Sequence, residues 1–482
     1  MKRAASHLQL YKRLATLLWK YGRSDLVQGM GIEDALGNAA IKASPTETNP
    51  AELADDLEAM GPTYVKLGQI LSGRPDLLPD PYLKALARLQ DNVKPFPFTE
   101  VEEIVTTDLG VRISKAFSRF DEVPLAAASL GQVHLAALRD GREVVVKVQR
   151  PGITAQITED FEVLSQIAEL LDTHTEFGRR HRVLAVLEEF RISINQELNY
   201  EREAQNLRLL SRNLAAFEHI FVPEPISDYC GRRVLTMDYV RGRKITKLGP
   251  LTNLEMPGEV LADELFRAYL QQVLVDGLFH ADPHPGNVFL TSDKRIALLD
   301  LGMVGTTTPA MQDNLLKILL AVSECKGEDA ANVVIHMSQT TADFDEAAFK
   351  RSVNQLVVAQ RDRALADLNV GRTLLTVSQT AAQFGLYVPS ELTLLGKTLL
   401  QLDEVGKILD PDFDPNAAIQ RNAAELMSQR MRKQATQGNV LSSLLEVKDF
   451  MAGLPQRVNR VLDVVGGSQL EVKVRAVDAD MV

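Results

Sequence analysis

The chain has 482 residues and a net charge of −11, from 53 Lys and Arg against 64 Asp and Glu. Hydrophobic residues make up 45% and charged residues 24%, which is the balance of a chain that buries a core and excludes a disordered or collagen-like one. Two cysteines, Cys230 and Cys325, exclude a disulfide framework and a zinc cluster, and the negative charge argues against generic nucleic-acid binding. The length suits two or three domains. The cysteine usage suits a reducing, cytoplasmic compartment. No stretch approaches the ~18 apolar residues of a membrane span.

Residues 1–24 carry Lys2, Arg3, Lys12, Arg13, Lys20 and Arg23 and no acid, with Leu8, Leu14, Leu17, Leu18 and Trp19 at helical spacing. This predicts a basic amphipathic helix. It fits an ordinary docking helix with a solvated basic face. It also fits a helix on an anionic membrane surface, which would place the protein peripherally at the inner face of the membrane. A helical extension follows over 25–111. Residues 112–240 form a β-rich lobe with long helices. Within it, Asp140-Gly141 is a hairpin signal between Gln132–Leu138 and Glu143–Gln149. Long helical patterns fill 153–218, with one continuous pattern over Val183–Leu214. Two strands are expected near Val222–Ile226 and Val234–Val240. Residues 241–440 are mainly helical, apart from strands at Val288–Leu290 and Ile296–Leu299, and 441–482 form a tail. Strands, helix, two strands and then helices is the order of an α+β, bilobal, kinase-like fold.

The strongest local signal is Asp282-Pro283-His284-Pro285-Gly286-Asn287. An Asp five residues before an Asn is the spacing of a phosphotransfer catalytic loop, with Asp282 to position a nucleophile or take its proton and Asn287 to hold magnesium. Thirteen residues after Asn287, Asp300-Leu301-Gly302 follows an apolar strand, as a metal-binding Asp-Phe-Gly motif does, so Asp300 is the second magnesium ligand. Upstream, Lys147 ends Val144-Val145-Val146-Lys147, close to the Val-Ala-Ile-Lys of a phosphate-clamping strand. A lysine there needs a carboxylate partner. Glu197 and Glu203 are candidates, but six residues place them roughly 240° apart on one helix, so at most one pairs with Lys147.

The phosphate loop is unusual. Over Leu125, Ala126, Ala127, Ala128, Ser129, Leu130, Gly131, Gln132 and Val133, alanines stand where glycines are expected. Their amides can face phosphates, but their Cβ atoms limit close approach. Altered nucleotide handling is the expectation. The backbone around Asp238 to Val240 is expected to meet the adenine edge.

These motifs resemble the UbiB/AarF family of atypical kinase-like proteins, linked to coenzyme Q and other isoprenoid-quinone biology. Tyr64-Val65-Lys66-Leu67-Gly68-Gln69 looks like that family's Lys-x-Gly-Gln signature. The alanine loop, Val146–Gly152 and His284-Pro285-Gly286-Asn287 match further, and the likeness runs from about Leu53 to Gly305. The resemblance implies ATP and Mg2+ as cofactors, and an isoprenoid or phenolic lipid or quinone precursor as a partner beside the nucleotide. It implies that the helical extension lies over the active site, with Lys66 and Gln69 entering the pocket. Glu203 matches the partner of Lys147. Glu197 matches the first acid of a Glu-x-Asp signature that meets the extension, so Lys66, Gln69 and Glu197 are the expected regulatory residues. The second acid of that signature is Asn199 here.

Protein kinases carry a long activation loop ending in Ala-Pro-Glu. Here a helix is expected to start near Pro309, which leaves little room for a peptide platform. Slow ATP hydrolysis, or transfer to a small or lipid-like acceptor, fits better. A small-molecule kinase resembling the aminoglycoside and choline kinases is an alternative, but those lack Lys66–Gln69 and the alanine loop. A nucleotide-gated lipid-handling scaffold is another. Many UbiB/AarF proteins end in a hydrophobic membrane segment. Asp478–Val482 follows none here, so attachment is expected to be peripheral unless a tail was removed.

Overall fold

In the computed structural model the described residues are residue 20 and residues 50–72, 78–89, 94–175, 178, 182–248, 257–341, 344–359 and 369–436. The expected basic helix, apart from Lys20, and the tail at 441–482 lie outside them. The N-terminal extension forms α1 (Pro50–Met60), α2 (Pro62–Leu71) and α3 (Asp80–Leu86). Gly61, at φ 114°, turns α1 into α2, and Pro62 opens α2 where its missing N–H costs nothing. Lys20 meets Glu52 at 3.0 Å and Asp56 at 2.8 Å, both on α1.

Helix α4 (Phe98–Leu109) leads into β1 (Phe117–Phe120), β2 (Ala126–Ala127), β3 (Gly131–Leu138) and β4 (Glu143–Gln149). Three helices follow: α5 (Ile153–His174), α6 (Val183–Glu197) and α7 (Tyr200–Asn213). Next come β5 (Ile220–Phe221), β6 (Val234–Asp238) and β7 (Gly242–Lys244). The first sheet has the order β1-β3-β4-β6, with β2 also paired to β3, and all its pairs are antiparallel. Gly141 takes φ 89° in the expected β3–β4 turn.

The helical lobe begins with α8 (Gly258–Gln271), prolonged by a π-turn over Gln272–Asp276. It contains β8 (Leu278–His280), β9 (Val288–Thr291), β10 (Ile296–Leu298) and β11 (Val304–Thr306). Then follow α9 (Pro309–Ser323), α10 (Gly327–Met337), β12 (Gln339–Thr340), α11 (Glu346–Val358), α12 (Val370–Gln383), β13 (Leu386–Tyr387), α13 (Ser390–Leu409) and α14 (Pro415–Thr436). A second sheet runs β5-β10-β9-β7, and β8 pairs with β11. No helix among the described residues is long and apolar enough to cross a membrane.

Two local expectations are corrected. The segment Val222–Ile226 is not a strand. Pro223 and Pro225 lack ladder donors, so contact with β6 is reduced to a Pro225–Met237 bridge. The pairing goes to β5, which lies parallel to β10. The pattern over Val183–Leu214 is likewise not one helix. It breaks at Leu198, and Asn199 caps α7 by accepting the Arg202 N–H at 3.2 Å.

The alternation of β4 sets up the site. Val144, Val146 and Val148 point into a core under α4 with Val101, Ile104 and Val105. Val145 and Lys147 therefore face the opposite side, toward α7. The extension has its own core, where Leu57, Tyr64 and Leu86 pack against Phe161, Phe190 and Ile194.

Candidate active site

Lys147 lies in register between Val133 on β3 and Leu235 on β6, which fixes its position in the sheet. Its Nζ is 3.0 Å from each Glu203 carboxylate oxygen and 3.4 Å from Asp300 Oδ1. It also stands 5.1 Å from the centroid of the Tyr200 ring. Glu203 is buried one turn into α7. Burial pushes its carboxyl up, and the Lys147 ammonium pulls it back. Burial works against the charge on Lys147, but Asp300 and Glu203 outweigh it and hold the ammonium protonated. The Lys147 charge is likewise the main reason that the Asp300 carboxyl sits below its usual range, with partial burial opposing and Lys66 assisting.

Asp300 adopts φ 56°, a left-handed conformation uncommon for a residue with a side chain. Its Oδ1 accepts the Gly302 N–H at 3.3 Å, and Asn206 on α7 donates to Leu301 O at 3.2 Å. The Asp300-Leu301-Gly302 turn is thus fastened to α7, the helix that carries Glu203.

Across from it, Asn287 donates its side-chain amide to Asp282 O at 3.3 Å, which turns its carbonyl oxygen away from that contact. Asp282 Oδ1 accepts from Gln401 Nε2 at 2.9 Å and faces Lys397 Nζ at 3.3 Å. His284 Nε2 is 3.9 Å from the other oxygen, Oδ2. Burial opposes ionisation of Asp282. Lys397, His284 and Gln401 overcome that and keep the carboxyl well below its usual range.

The extension reaches the site through α2. Lys66 Nζ lies 2.6 Å from Glu197 Oε1 at the end of α6. Gln69 donates to Leu89 O at 3.2 Å, tying α2 to the segment after α3. Gly68 lets α2 pack closely, since a Cβ there would fall 2.3 Å from Leu89 Cδ1.

The alanine loop is a pinned hairpin. Leu125 N–H donates to Val133 O and Ala128 N–H to Gly131 O, each at 2.7 Å. Arg150 donates to the Ala128 and Ser129 carbonyls at 3.2 Å each. Ser129 is buried, and Leu130 is buried in the core of the extension. Gln132 turns its side chain to the Phe96 backbone, accepting from its N–H at 3.0 Å. At the lobe junction the Asp238 carboxylate accepts from Arg142 Nε at 2.8 Å. The Asp238 N–H donates to Glu224 O at 3.1 Å and the Tyr239 N–H to Glu143 O at 3.3 Å.

The structure therefore gathers Lys147, Glu203 and Asp300, joins Asp282 to Asn287, and joins Lys66 to Glu197. Sequence reasoning missed Lys397 and Gln401. They lie one turn apart on α13, more than a hundred residues after the Asp282–Asn287 segment. A signal was present: a lysine and a glutamine four apart, one turn of helix, within the leucine-rich Leu392–Leu402. Tyr200 was also missed. A Cβ on Gly131 would lie 2.6 Å from its hydroxyl, which couples the loop to α7.

Residues 88–334 match the model of the ABC1 atypical kinase-like domain, and residues 353–414 match that of the UbiB helical domain. The chain belongs to the UbiB/AarF family of atypical kinase-like proteins. It is 34% identical over 411 residues to a "Probable protein kinase UbiB" of Azotobacter vinelandii, covering 84% of this chain and 76% of that one. It is 33% identical over 433 residues to an uncharacterized protein of Synechocystis, covering 89% of this chain and 74% of that one. A solved structure, Rv3197 of Mycobacterium tuberculosis with erythromycin, is similar at 23% identity and a TM-score of 0.48, over 75% of this chain and 98% of that one. Lys397 and Gln401 thus come from the UbiB helical domain and meet Asp282 of the kinase-like domain.

Proposed function

We propose that this protein binds MgATP between its lobes, hydrolyses it slowly and can transfer the γ-phosphoryl group to a small or lipid-like acceptor, in support of isoprenoid-quinone or lipid metabolism. The observation that carries this reading is the three-way contact of Lys147 with Glu203 and Asp300. A lysine oriented by a buried glutamate beside a metal-binding aspartate is the phosphate clamp of kinase chemistry.

The donor set fits Mg2+. Asp300 and Asn287 offer hard oxygen ligands, and Mg2+ takes few protein ligands because it keeps waters and phosphate oxygens. When bound, the ion would neutralise phosphate charge as it develops. Asp282, held ionised, would orient the attacking hydroxyl or water and receive its proton. Lys147 would hold the phosphates, and the pinned alanine hairpin would cover them. Because that hairpin spends amides on its own turn and fits snugly against the extension, slow turnover is expected. The adenine edge would meet the backbone from Asp238 to Val240. Calorimetric titration with MgATP tests the reading: saturable binding that is lost in Lys147→Met supports it, and no binding by the wild-type protein overturns it.

A further inference from the structure

A cleft of about 1260 Å3 separates α6 from the helices of the UbiB helical domain. Three helices each give it one face. Lining residues recur three or four apart on α6 from Ala185 to Gln196, on α12 from Leu375 to Gln383 and on α13 from Ser390 to Lys397. The stretch on α6 corresponds to roughly 16 Å of helix. Ile192 from α6, Leu375 from α12 and Leu394 from α13 are among the apolar residues that line it. Ile192 is 56% exposed.

Neighbours of two of these segments line the cleft, and one lysine links it to a third. Ile70 follows Gln69 on α2, Met303 follows the Asp300-Leu301-Gly302 turn, and Lys397 stands 3.3 Å from Asp282 Oδ1. The cleft therefore comes within one lysine side chain of Asp282. Its lining carries charge of both signs: Lys397 is the cation beside Asp282, Glu391 lies six residues, roughly 9 Å, back along α13, and Arg182, Glu189 and Asp345 line it as well. An oxygen head is favoured at Lys397 and disfavoured beside Glu391.

We propose that this cleft seats the phosphate acceptor, a single-chain amphiphile whose apolar chain runs along Ile192 and Leu394 and whose one hydroxyl head stands beside Lys397 and Asp282. This rests on the phosphotransfer reading above. In the transfer, the acceptor oxygen bonds to the γ-phosphorus as the bond from that phosphorus to the β,γ-bridging oxygen breaks. The electron pair leaves with ADP, and the hydroxyl proton goes to Asp282.

The test uses the whole protein and cis-parinaric acid, a linear polyene with an oxygen head whose fluorescence rises in apolar surroundings. Wild type should bind it saturably with one site, and 1-dodecanol should displace it. Ile192→Glu should weaken binding by about tenfold or more, since a carboxylate would face the chain. Because Ile192 is exposed, its loss leaves the core intact, and thermal melting checks this. Lys397→Met should also weaken binding, whereas Val358→Glu, at an exposed apolar site outside the cleft, should not. Absence of saturable binding by wild type, or equal affinity in Ile192→Glu, overturns the cleft assignment. MgATP titration of the same preparation separates the two claims. Nucleotide binding without parinarate binding overturns the cleft alone. Ile192-sensitive parinarate binding without nucleotide binding overturns the phosphotransfer reading, and the acceptor role with it.

Discussion

Lys66 on α2 and Glu197 on α6 form a 2.6 Å ion pair beside the Asp300-Leu301-Gly302 turn. A Cβ on Gly302 would lie 3.2 Å from both Glu197 Cγ and Asp300 Oδ1, so a larger residue there would press on both side chains. The extension thus meets the Asp300-Leu301-Gly302 turn through two side chains that are mostly shielded from solvent.

Breaking that pair should destabilise the protein unequally. Lys66→Met leaves a shielded carboxylate without its cation and should cost about 1–3 kcal/mol. Lys66→Met with Glu197→Gln should cost less than the sum of the two single changes. Urea denaturation of the four proteins measures the coupling. Strict additivity would show that the pair contributes nothing.

The alanine hairpin should respond differently at its two ends. Ala127→Gly, on β2, should change the ratio of ATP to ADP affinity a few-fold by freeing local backbone, with little effect on stability. Leu130→Ala, at the buried tip, should destabilise by about 2–4 kcal/mol. Side-by-side nucleotide titrations and denaturation curves read both effects. An unchanged affinity ratio in Ala127→Gly would contradict the role given to the alanines.

Asn199 should act through its cap. Asn199→Ala removes the acceptor for the Arg202 N–H and should cost about 1 kcal/mol. Asn199→Asp keeps the cap and should remain within about 0.5 kcal/mol of wild type. Thermal melts of the two variants decide between a capping role and an incidental contact.

Stability should fall as pH drops below neutrality. His134 is buried, with Nδ1 donating to Asp121 O at 2.8 Å and Nε2 accepting from Gln132 at 3.0 Å. Both ring nitrogens are satisfied in the neutral form, and burial lowers the pKa below the ordinary histidine value of 6.5. The unfolded chain then binds more protons, so this stabilisation is present above about pH 6.5 and is lost as pH falls toward the depressed folded value. His134→Gln should flatten the decline between pH 7 and pH 5 by at most about 1.4 kcal/mol per pH unit. Identical slopes would mean that His134 does not titrate on unfolding.

Much of this was legible because the signals are local. The Asp140-Gly141 hairpin, the β4 valines with Lys147, and the spacing of Asp282, Asn287 and Asp300 each depend on residues close in sequence. What was hidden depends on chain segments meeting from far away. The break between α6 and α7 was missed because Leu198 and Asn199 interrupt no apolar period, and only the cap reveals it. The geometric argument for separating Glu197 from Glu203 assumed one helix. The two residues do face different partners, but because they lie on different helices. Lys397 and Gln401 reach Asp282 only once the UbiB helical domain folds back onto the catalytic loop. The burial of Leu130 likewise needs the extension in place.

The central claim is that Lys147, Asp282, Asn287 and Asp300 form a working MgATP site. Steady-state phosphate release from MgATP by wild type and Asp300→Asn tests it most directly. Slow but measurable hydrolysis that falls about a hundredfold or more in Asp300→Asn is the predicted result, because the variant loses a metal-binding carboxylate. Hydrolysis at the same rate in both proteins would contradict it.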